Sequence, residues 1–303
     1  MISNKNSSLI RDIPIRKNKH FCTVPSEVPP LLKQRRKHAL LACKRLKKHL
    51  PTRWRMRHIR WDKQLNIAYC HVPKAASTTW SWHLLRAIGL KDEIISKTES
   101  VHNLLKKYLP YPSIEDTRKG VLDSALKFLV TRRPFERLVS AYQNKIADPL
   151  VEPLQYRKIQ VQIINQYYED LPVASKPLVP SFRDFCRYII DELENWMRDS
   201  DKNGLNPPDH HWSPQTYLCS PCKLKYDIYR THGTISVEET KILNQLYLSE
   251  TVKIFSGQKA AQNNNWKLKG ALKNKIEENL KHWSRGYTKC YLGVGGGPFE
   301  ENF

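Results

Sequence analysis

The sequence contains no run of apolar residues that approaches the roughly 20 needed to cross a lipid bilayer. Its N-terminus also lacks the apolar stretch of a secretory signal peptide. These two absences argue against a membrane-spanning helix and predict that the chain, as it stands, is soluble.

Acidic residues are scarce: 29 Asp and Glu face 51 Lys and Arg, which gives a formal net charge of +22. So basic a surface attracts polyanions and holds them less strongly as the salt concentration rises. Nucleic acid, anionic lipid headgroups, an acidic polysaccharide and a small phosphate-rich cofactor all satisfy these electrostatics. The net charge therefore predicts an anionic partner, and sequence motifs are needed to identify which kind of anion it is.

The nucleotide-binding pattern Gly-x-x-x-x-Gly-Lys-Ser/Thr is absent, and no carboxylate stands out as a magnesium ligand. Metal-dependent phosphoryl transfer is thus disfavoured. Cys219 and Cys222 have the spacing of a redox or zinc pair, yet no second ligand pair accompanies them, so we expect a structural disulfide role and no metal. Because the number of cysteines is seven, at least one is unpaired in a monomer. The count does not indicate whether the protein resides in an oxidising or a reducing compartment.

The 303 residues have the composition of a globular protein, with 40% hydrophobic and 26% charged residues. Residues 1–32 are polar and broken by prolines, which predicts a poorly ordered arm. Residues 33–58 carry basic clusters and predict a helical segment. We expect residues 59–255 to form one large domain, followed by a C-terminal segment, residues 256–303, with a glycine-rich tail.

Two strand–loop–helix units organise the central region. Residues 65–72 predict a buried strand ended by Pro73, and the helix after it stops at Gly89. Residues 126–131 predict a second strand, and Pro134 starts the next helix. The pattern indicates an α/β fold with a parallel sheet flanked by helices. Further helices are predicted over residues 159–168, 181–196, 238–248 and 273–282.

The first of these loops has the features of an anion site. Backbone N–H groups converge at the start of a helix, where the helix dipole also favours negative charge. Small residues let the backbone approach phosphate oxygens, Lys74 adds a mobile positive charge, and Thr78 and Thr79 add hydroxyl donors. Many α/β proteins place a lysine in such a loop, so this feature alone leaves a purely structural role open.

Residues 70–80, Cys-His-Val-Pro-Lys-Ala-Ala-Ser-Thr-Thr-Trp, resemble the 5'-phosphosulfate loop of the Golgi carbohydrate sulfotransferases, in the branch that acts on chondroitin and dermatan. That branch usually has valine, cysteine and asparagine where this chain has Ala75, Ser77 and Thr79. Lys74, which matters most for the chemistry, is kept.

Residues 128–142 resemble the 3'-phosphate motif of the same family, Arg-x-Pro-Phe-x-Arg-Leu-Val-Ser-Ala-Tyr. The resemblance implies that Arg132 and Ser140 bind the 3'-phosphate. An arginine at a strand end and a serine two turns into the next helix can converge on one phosphate. Arg133 stands where an acidic residue or histidine is usual and is a candidate substrate contact.

A third stretch, residues 209–227, is similar to the Asp-x-His-Trp, Leu-Cys-x-Pro-Cys and Tyr-Asp signatures of the family. His211 falls on the family histidine, and an imidazole suits proton removal from a sugar hydroxyl near neutral pH. From its residue type alone, a histidine beside a tryptophan is more often structural. His102 also aligns with a family histidine and is a second candidate for substrate contact.

Together the resemblance implies a P-loop-like sulfotransferase fold in the Golgi, although the anchor of these enzymes is missing and the C-terminal segment diverges from theirs. It implies transfer from 3'-phosphoadenosine 5'-phosphosulfate (PAPS), without a metal, to an acidic glycan such as chondroitin or dermatan, at O-4 of N-acetylgalactosamine. The implied catalytic residues are Lys74 and His211. The implied donor-binding residues are Lys74, Ala75, Ala76, Ser77, Thr78, Thr79, Arg132 and Ser140.

Three alternatives stay open at this point. A basic nucleic-acid-binding protein would explain the charge, without using either anion motif, through tight and salt-sensitive binding to duplexes. A nucleotide-dependent phosphotransferase would require ATP and magnesium. A catalytically inactive relative would bind glycans independently of Lys74. The motifs favour the sulfotransferase and predict no nucleic-acid partner.

Overall fold

A computed structural model describes residues 28–46, 56–199 and 207–232 of the chain. The predicted helices over residues 238–248 and 273–282 and the glycine-rich tail lie outside the described residues, as does most of the predicted N-terminal arm. In the described part of the chain, no helix is both long and apolar enough to cross a membrane.

The sheet has four strands in the order β1-β2-β3-β4. These are β1 (Ile59–Asp62), β2 (Ile67–Cys70), β3 (Leu126–Thr131) and β4 (Ile228–Thr231). β1 runs antiparallel to β2, whereas β2, β3 and β4 are parallel. The predicted α/β fold with a largely parallel sheet is confirmed. β3 has its predicted bounds, and β2 is shorter than predicted.

The described residues contain ten helices, which pack against the sheet or against one another. They are α1 (Pro30–Leu46), α2 (Ser77–Ala87), α3 (Asp92–Ser96), α4 (Val101–Tyr108), α5 (Ile114–Arg118), α6 (Pro134–Lys145), α7 (Leu154–Tyr167), α8 (Phe182–Asp199), α9 (Gln215–Cys219) and α10 (Pro221–Leu224). A single 3-10 turn, Val173–Ser175, separates α7 from α8.

The two faces of the sheet carry different cores. On one face Tyr69 stacks on Phe128 at 4.9 Å, and Trp80 and Leu84 of α2 pack against them. Such an aromatic pair contributes about 0.5–1.5 kcal/mol beyond the area that it buries. The opposite face packs against α9 and α10. The alternation of side chains along β2 and β3 therefore anchors both the helix after the first loop and the segment after residue 209.

Two disulfides join distant parts of the chain. Cys43 of α1 pairs with Cys222, and Cys70 at the end of β2 pairs with Cys219 at the end of α9. The expected structural disulfide role is confirmed, although Cys219 and Cys222 pair with different partners and not with each other. Cys186 is buried and free. Because Cys70 ends β2, the second disulfide ties α9 to the strand that leads into the Lys74 loop.

Replacing Cys70 and Cys219 together by alanine is expected to lower the free energy of unfolding by about 2–5 kcal/mol, since the bond closes a loop over a sequence separation of 149 residues. Urea unfolding followed by tryptophan fluorescence measures the loss. Cys186→Ala controls for removal of a buried sulfur. A double variant as stable as this control would contradict the pairing.

Candidate functional site

A cavity of about 1220 Å³ opens where the parallel strands end. Lys74, Arg132 and His232, which follow β2, β3 and β4, all line it. Ligands of open α/β sheets bind outside the carboxyl ends of the strands. The cavity exceeds the roughly 300–1,000 Å³ typical of a small-molecule pocket, so it has room for a nucleotide and part of a second substrate.

The loop between β2 and α2 has a backbone suited to an anion. Lys74 and Ala76 have φ angles of 67° and 57°, in the left-handed region that residues with a side chain rarely adopt. No side chain caps the first turn of α2. Its N–H groups are therefore available to a ligand, and the helix dipole adds positive potential at the same place. Strain of this kind concentrates at functional sites.

Of the loop residues predicted to bind the donor, some line the cavity and others do not. Ala75 is fully buried, and its N–H donates to the carbonyl of Val72, so this residue shapes the loop. Thr79 lies in the first turn of α2 outside the cavity lining. The loop residues that line the cavity are Lys74, Ala76, Ser77 and Thr78.

Arg132 bridges the two predicted anion motifs. Its backbone N–H donates to the Gln215 side-chain oxygen at 3.0 Å, and the Gln215 amide donates back to the Arg132 carbonyl at 2.8 Å. Its guanidinium donates to the carbonyl of Lys74 at 3.1 Å, while its Nε makes no hydrogen bond within the described structure and lies 3.7 Å from a carboxylate oxygen of Glu136. Ser140 of α6 lines the same cavity. Arg133 is exposed and does not line it, so its substrate contact stays a prediction.

Arg137 was not singled out from the sequence, yet it holds the site together. Its side chain is 1% exposed. Its guanidinium donates to the carbonyls of Pro73, Ser213 and His210, each at 2.8 Å. It therefore fixes the Lys74 loop against the segment that carries His211. The signal available beforehand was the second arginine of the motif in residues 128–142.

His211 is held by two side chains. Its Nδ1 lies 2.7 Å from Oδ1 of Asp209 and 3.0 Å from the hydroxyl of Tyr156. Its backbone N–H donates to the same Asp209 oxygen at 2.8 Å. A carboxylate can only accept here, so Nδ1 carries the proton and Nε2 is left as the basic nitrogen.

The protonation states agree with this arrangement. Burial lowers the pKa of His211, and the hydrogen bond with Asp209 offsets part of that effect. Burial alone would raise the pKa of Asp209, but its hydrogen bonds with His211 and the nearby charge bring it below the usual value. At neutral pH the pair is therefore a carboxylate and a neutral imidazole, which is the form that can accept a proton.

His102 lies against the Lys74 loop and the first turns of α2. Its Nε2 is 3.3 Å from the hydroxyl of Thr78, and its Nδ1 is 3.0 Å from Nε2 of His71 and 3.3 Å from the hydroxyl of Ser81. Burial and the neighbouring His211 lower the pKa of His102 to about 4. The structure thus places this residue in the cavity but occupies both of its ring nitrogens, and substrate contact by it stays a prediction.

The lining of the cavity is strongly basic. Among the described residues, Asp209 is the one acid in the lining. Burial, then Lys145 and Arg132, lower the pKa of Lys74 to about 8. Its ammonium group is therefore charged at pH 7 but close to losing its proton. The lining cations are Arg57, Arg60, Lys74, Lys106, Arg132 and Lys145.

Asp209, His210 and His211 lie close enough together to share a metal ion. Asp209 is already the acceptor for His211, and the buried Arg137 guanidinium binds the carbonyl of His210. Lys145 and Lys74 add positive charge beside His211. This surrounding charge opposes a divalent cation and favours an anion.

Comparison with known proteins agrees with the geometry. The profile of the sulfotransferase family matches residues 57–289. Carbohydrate sulfotransferase 10 of Rattus norvegicus is 31% identical over 193 residues, 61% of this chain and 51% of that protein. The Gallus gallus protein of the same name is 33% identical over 183 residues, 58% of this chain and 49% of its own. Human carbohydrate sulfotransferase 14 is 28% identical over 188 residues, 62% of this chain and 46% of its own.

The chain spans about half the length of the curated relatives that it matches. No solved structure matches it significantly. The family profile covers the Lys74 loop, the Arg132 and Ser140 motif and the His211 segment in one continuous match. The chain therefore belongs to the sulfotransferase family.

Proposed function

We propose that the chain transfers a sulfuryl group from PAPS to a hydroxyl group of an acidic glycan. The observation that carries this proposal is the contact of Arg132 with the Lys74 loop, whose backbone is left-handed at Lys74 and Ala76. This contact brings the two anion motifs together, and His211 lines the same cavity. Relatives named carbohydrate sulfotransferases support the glycan acceptor. The finer proposal is O-4 of N-acetylgalactosamine in chondroitin or dermatan.

The described residues suit the two anionic ends of the donor. Lys74, the first turn of α2 and the hydroxyls of Ser77 and Thr78 would hold the 5'-phosphosulfate. Arg132 and Ser140 would hold the 3'-phosphate. The Nε–H of Arg132 makes no hydrogen bond within the described structure, and the exposed carboxylate of Glu136 lies 3.7 Å from it, so a phosphate oxygen would give this N–H a closer acceptor.

In the proposed reaction, Nε2 of His211 takes the proton of the acceptor hydroxyl as its oxygen bonds to sulfur. The bond from sulfur to the bridging phosphate oxygen breaks, and 3'-phosphoadenosine 5'-phosphate leaves. Lys74 neutralises the negative charge that grows on this bridging oxygen. Asp209 stabilises the imidazolium that forms on His211. No metal has a part in these steps.

The two disulfides favour a secretory compartment, and we propose the Golgi lumen. Disulfides persist in oxidising compartments and are rare in the cytosol. Cys43–Cys222 and Cys70–Cys219 both join segments far apart in the sequence. Alkylation of free thiols at the moment of lysis, followed by non-reducing electrophoresis, would show whether these bonds form in the cell.

His211→Ala is expected to lower kcat by about 10²–10⁴-fold, the contribution of a general base. Donor binding should be retained, because His211 is not among the proposed donor contacts. Labelled PAPS and a panel of desulfated chondroitin, dermatan and heparan measure transfer. Thermal stabilisation by 3'-phosphoadenosine 5'-phosphate measures donor binding.

His38→Ala, on α1, is the matched control for the removal of an imidazole. Transfer by His211→Ala at the full rate would assign the base elsewhere. Absence of transfer to every glycan by folded wild-type protein would refute the proposed function.

The pH dependence of kcat/KM should be bell-shaped. On the acid side, activity is lost as pH falls through the pKa of His211, which burial places below 6.5. On the basic side, activity is lost as pH rises through about 8, because Lys74 then loses its positive charge. Lys74→Arg should move the basic limb upward, since arginine stays protonated throughout.

Lys74→Ala should lower kcat/KM by about 10–100-fold, which corresponds to the loss of one charge-assisted hydrogen bond. Lys97→Ala, an exposed lysine outside the cavity, is the control. A basic limb that stays in place in Lys74→Arg would show that another group titrates.

A further inference from the structure

The outer strand β1 contributes a buried cation to the cavity that the proposed reaction does not use. Arg60 is 5% exposed and lines the cavity. Its guanidinium donates to the carbonyl of Arg57 at 2.8 Å. Among the described residues, no carboxylate lies within 4.0 Å of it, although most buried charges in proteins are paired.

Leaving this charge unpaired is costly. Burial lowers the pKa of Arg60, which shows that its surroundings disfavour the charged form. An anion beside Arg60 would compensate the guanidinium charge and accept its hydrogen bonds.

Other side chains reinforce this end of the cavity. Arg57 and Lys106 line it and are exposed, so they add cationic groups at its rim. Burial, followed by charges that include Arg60, lowers the pKa of His58 to about 3 and that of His71 well below its usual value. Both imidazoles are therefore neutral at pH 7 and can donate hydrogen bonds without adding charge.

Sheet order separates Arg60 from the proposed 3'-phosphate contacts. β1 lies on the side of β2 that faces away from β3, whereas Arg132 and Ser140 follow β3. Imidazole rings connect the start of β1 with His211. The ring of His58 lies 5.8 Å from that of His210, which lies 4.2 Å from the ring of His211. A saccharide whose hydroxyl meets His211 can thus extend along these imidazoles towards Arg60.

We propose that Arg60, supported by Arg57 and Lys106, binds a carboxylate or sulfate group of the acceptor saccharide next to the sugar that is modified. The planar guanidinium fork matches either group with two parallel hydrogen bonds. That this saccharide is the acceptor rests on the proposed function, but its binding does not require transfer.

The test uses three tetrasaccharide probes of chondroitin type: a desulfated one with its uronate carboxylates, a carboxyl-reduced neutral one, and a carboxyl-reduced one that carries sulfate esters. Calorimetry measures binding to the full chain saturated with 3'-phosphoadenosine 5'-phosphate, so no turnover is needed. We expect at least one anionic probe to bind about 10–100-fold more tightly than the neutral probe. The probe that does so identifies carboxylate or sulfate as the group recognised.

Arg60→Met should abolish this discrimination while keeping side-chain volume. Its melting temperature should be equal to or above that of the wild type, because an uncompensated buried charge is removed. Stabilisation by 3'-phosphoadenosine 5'-phosphate should be unchanged. Lys63→Met is the matched control, since Lys63 lies in the same β1–β2 hairpin, is exposed and does not line the cavity. Arg60→Lys should restore part of the discrimination.

Equal binding of all three probes by the wild type, or no binding of any, would overturn the proposal. So would a loss of discrimination in Lys63→Met as large as that in Arg60→Met, because the effect would then come from net charge alone. Discrimination that depends on Arg60 in a protein that transfers sulfate to no glycan would refute the proposed function and leave the anion subsite standing.

Discussion

The arrangement of the whole site depends on the buried guanidinium of Arg137. A buried charge is tolerated when its hydrogen-bonding groups are satisfied, and the carbonyls of Pro73, His210 and Ser213 satisfy this one. These carbonyls belong to two segments far apart in sequence. The hydrogen bonds of Arg137 therefore fix the position of the Lys74 loop relative to the His211 segment. Both segments are thereby held in one fixed arrangement around the cavity.

Short sequence patterns predicted the elements that are defined by their own residues, such as β3 and the start of α6. The six apolar-rich residues of β3 predicted its observed bounds, and Pro134 predicted the start of α6. β1 and β4 escaped prediction because each has four residues and mixes apolar with charged side chains. Their strand conformation comes from pairing with β2 and β3, and a short window of sequence does not contain that information.

In the candidate site, too, some residues could be predicted from sequence motifs and others only from their surroundings in the fold. Motifs identified Lys74, Arg132 and His211, and the structure brings all three to one cavity. Arg60 could not be identified in advance, because what distinguishes it is burial next to a cavity without a carboxylate partner. Asp209 was visible in its motif, but its role as the partner of His211 Nδ1 required coordinates. Residue type suggests chemistry, whereas environment decides which residue of a type performs it.

The two disulfides form a covalent route that differs from the order of the chain. From α1 it passes through Cys43 to Cys222, back along α10 to Cys219, and through Cys70 into β2. Only two residues lie between Cys219 and Cys222, so a short bridge links α1 to β2 and to the Lys74 loop that follows it. A protease that cut the backbone between α1 and β1 would therefore leave α1 attached, and the two fragments would part only after reduction.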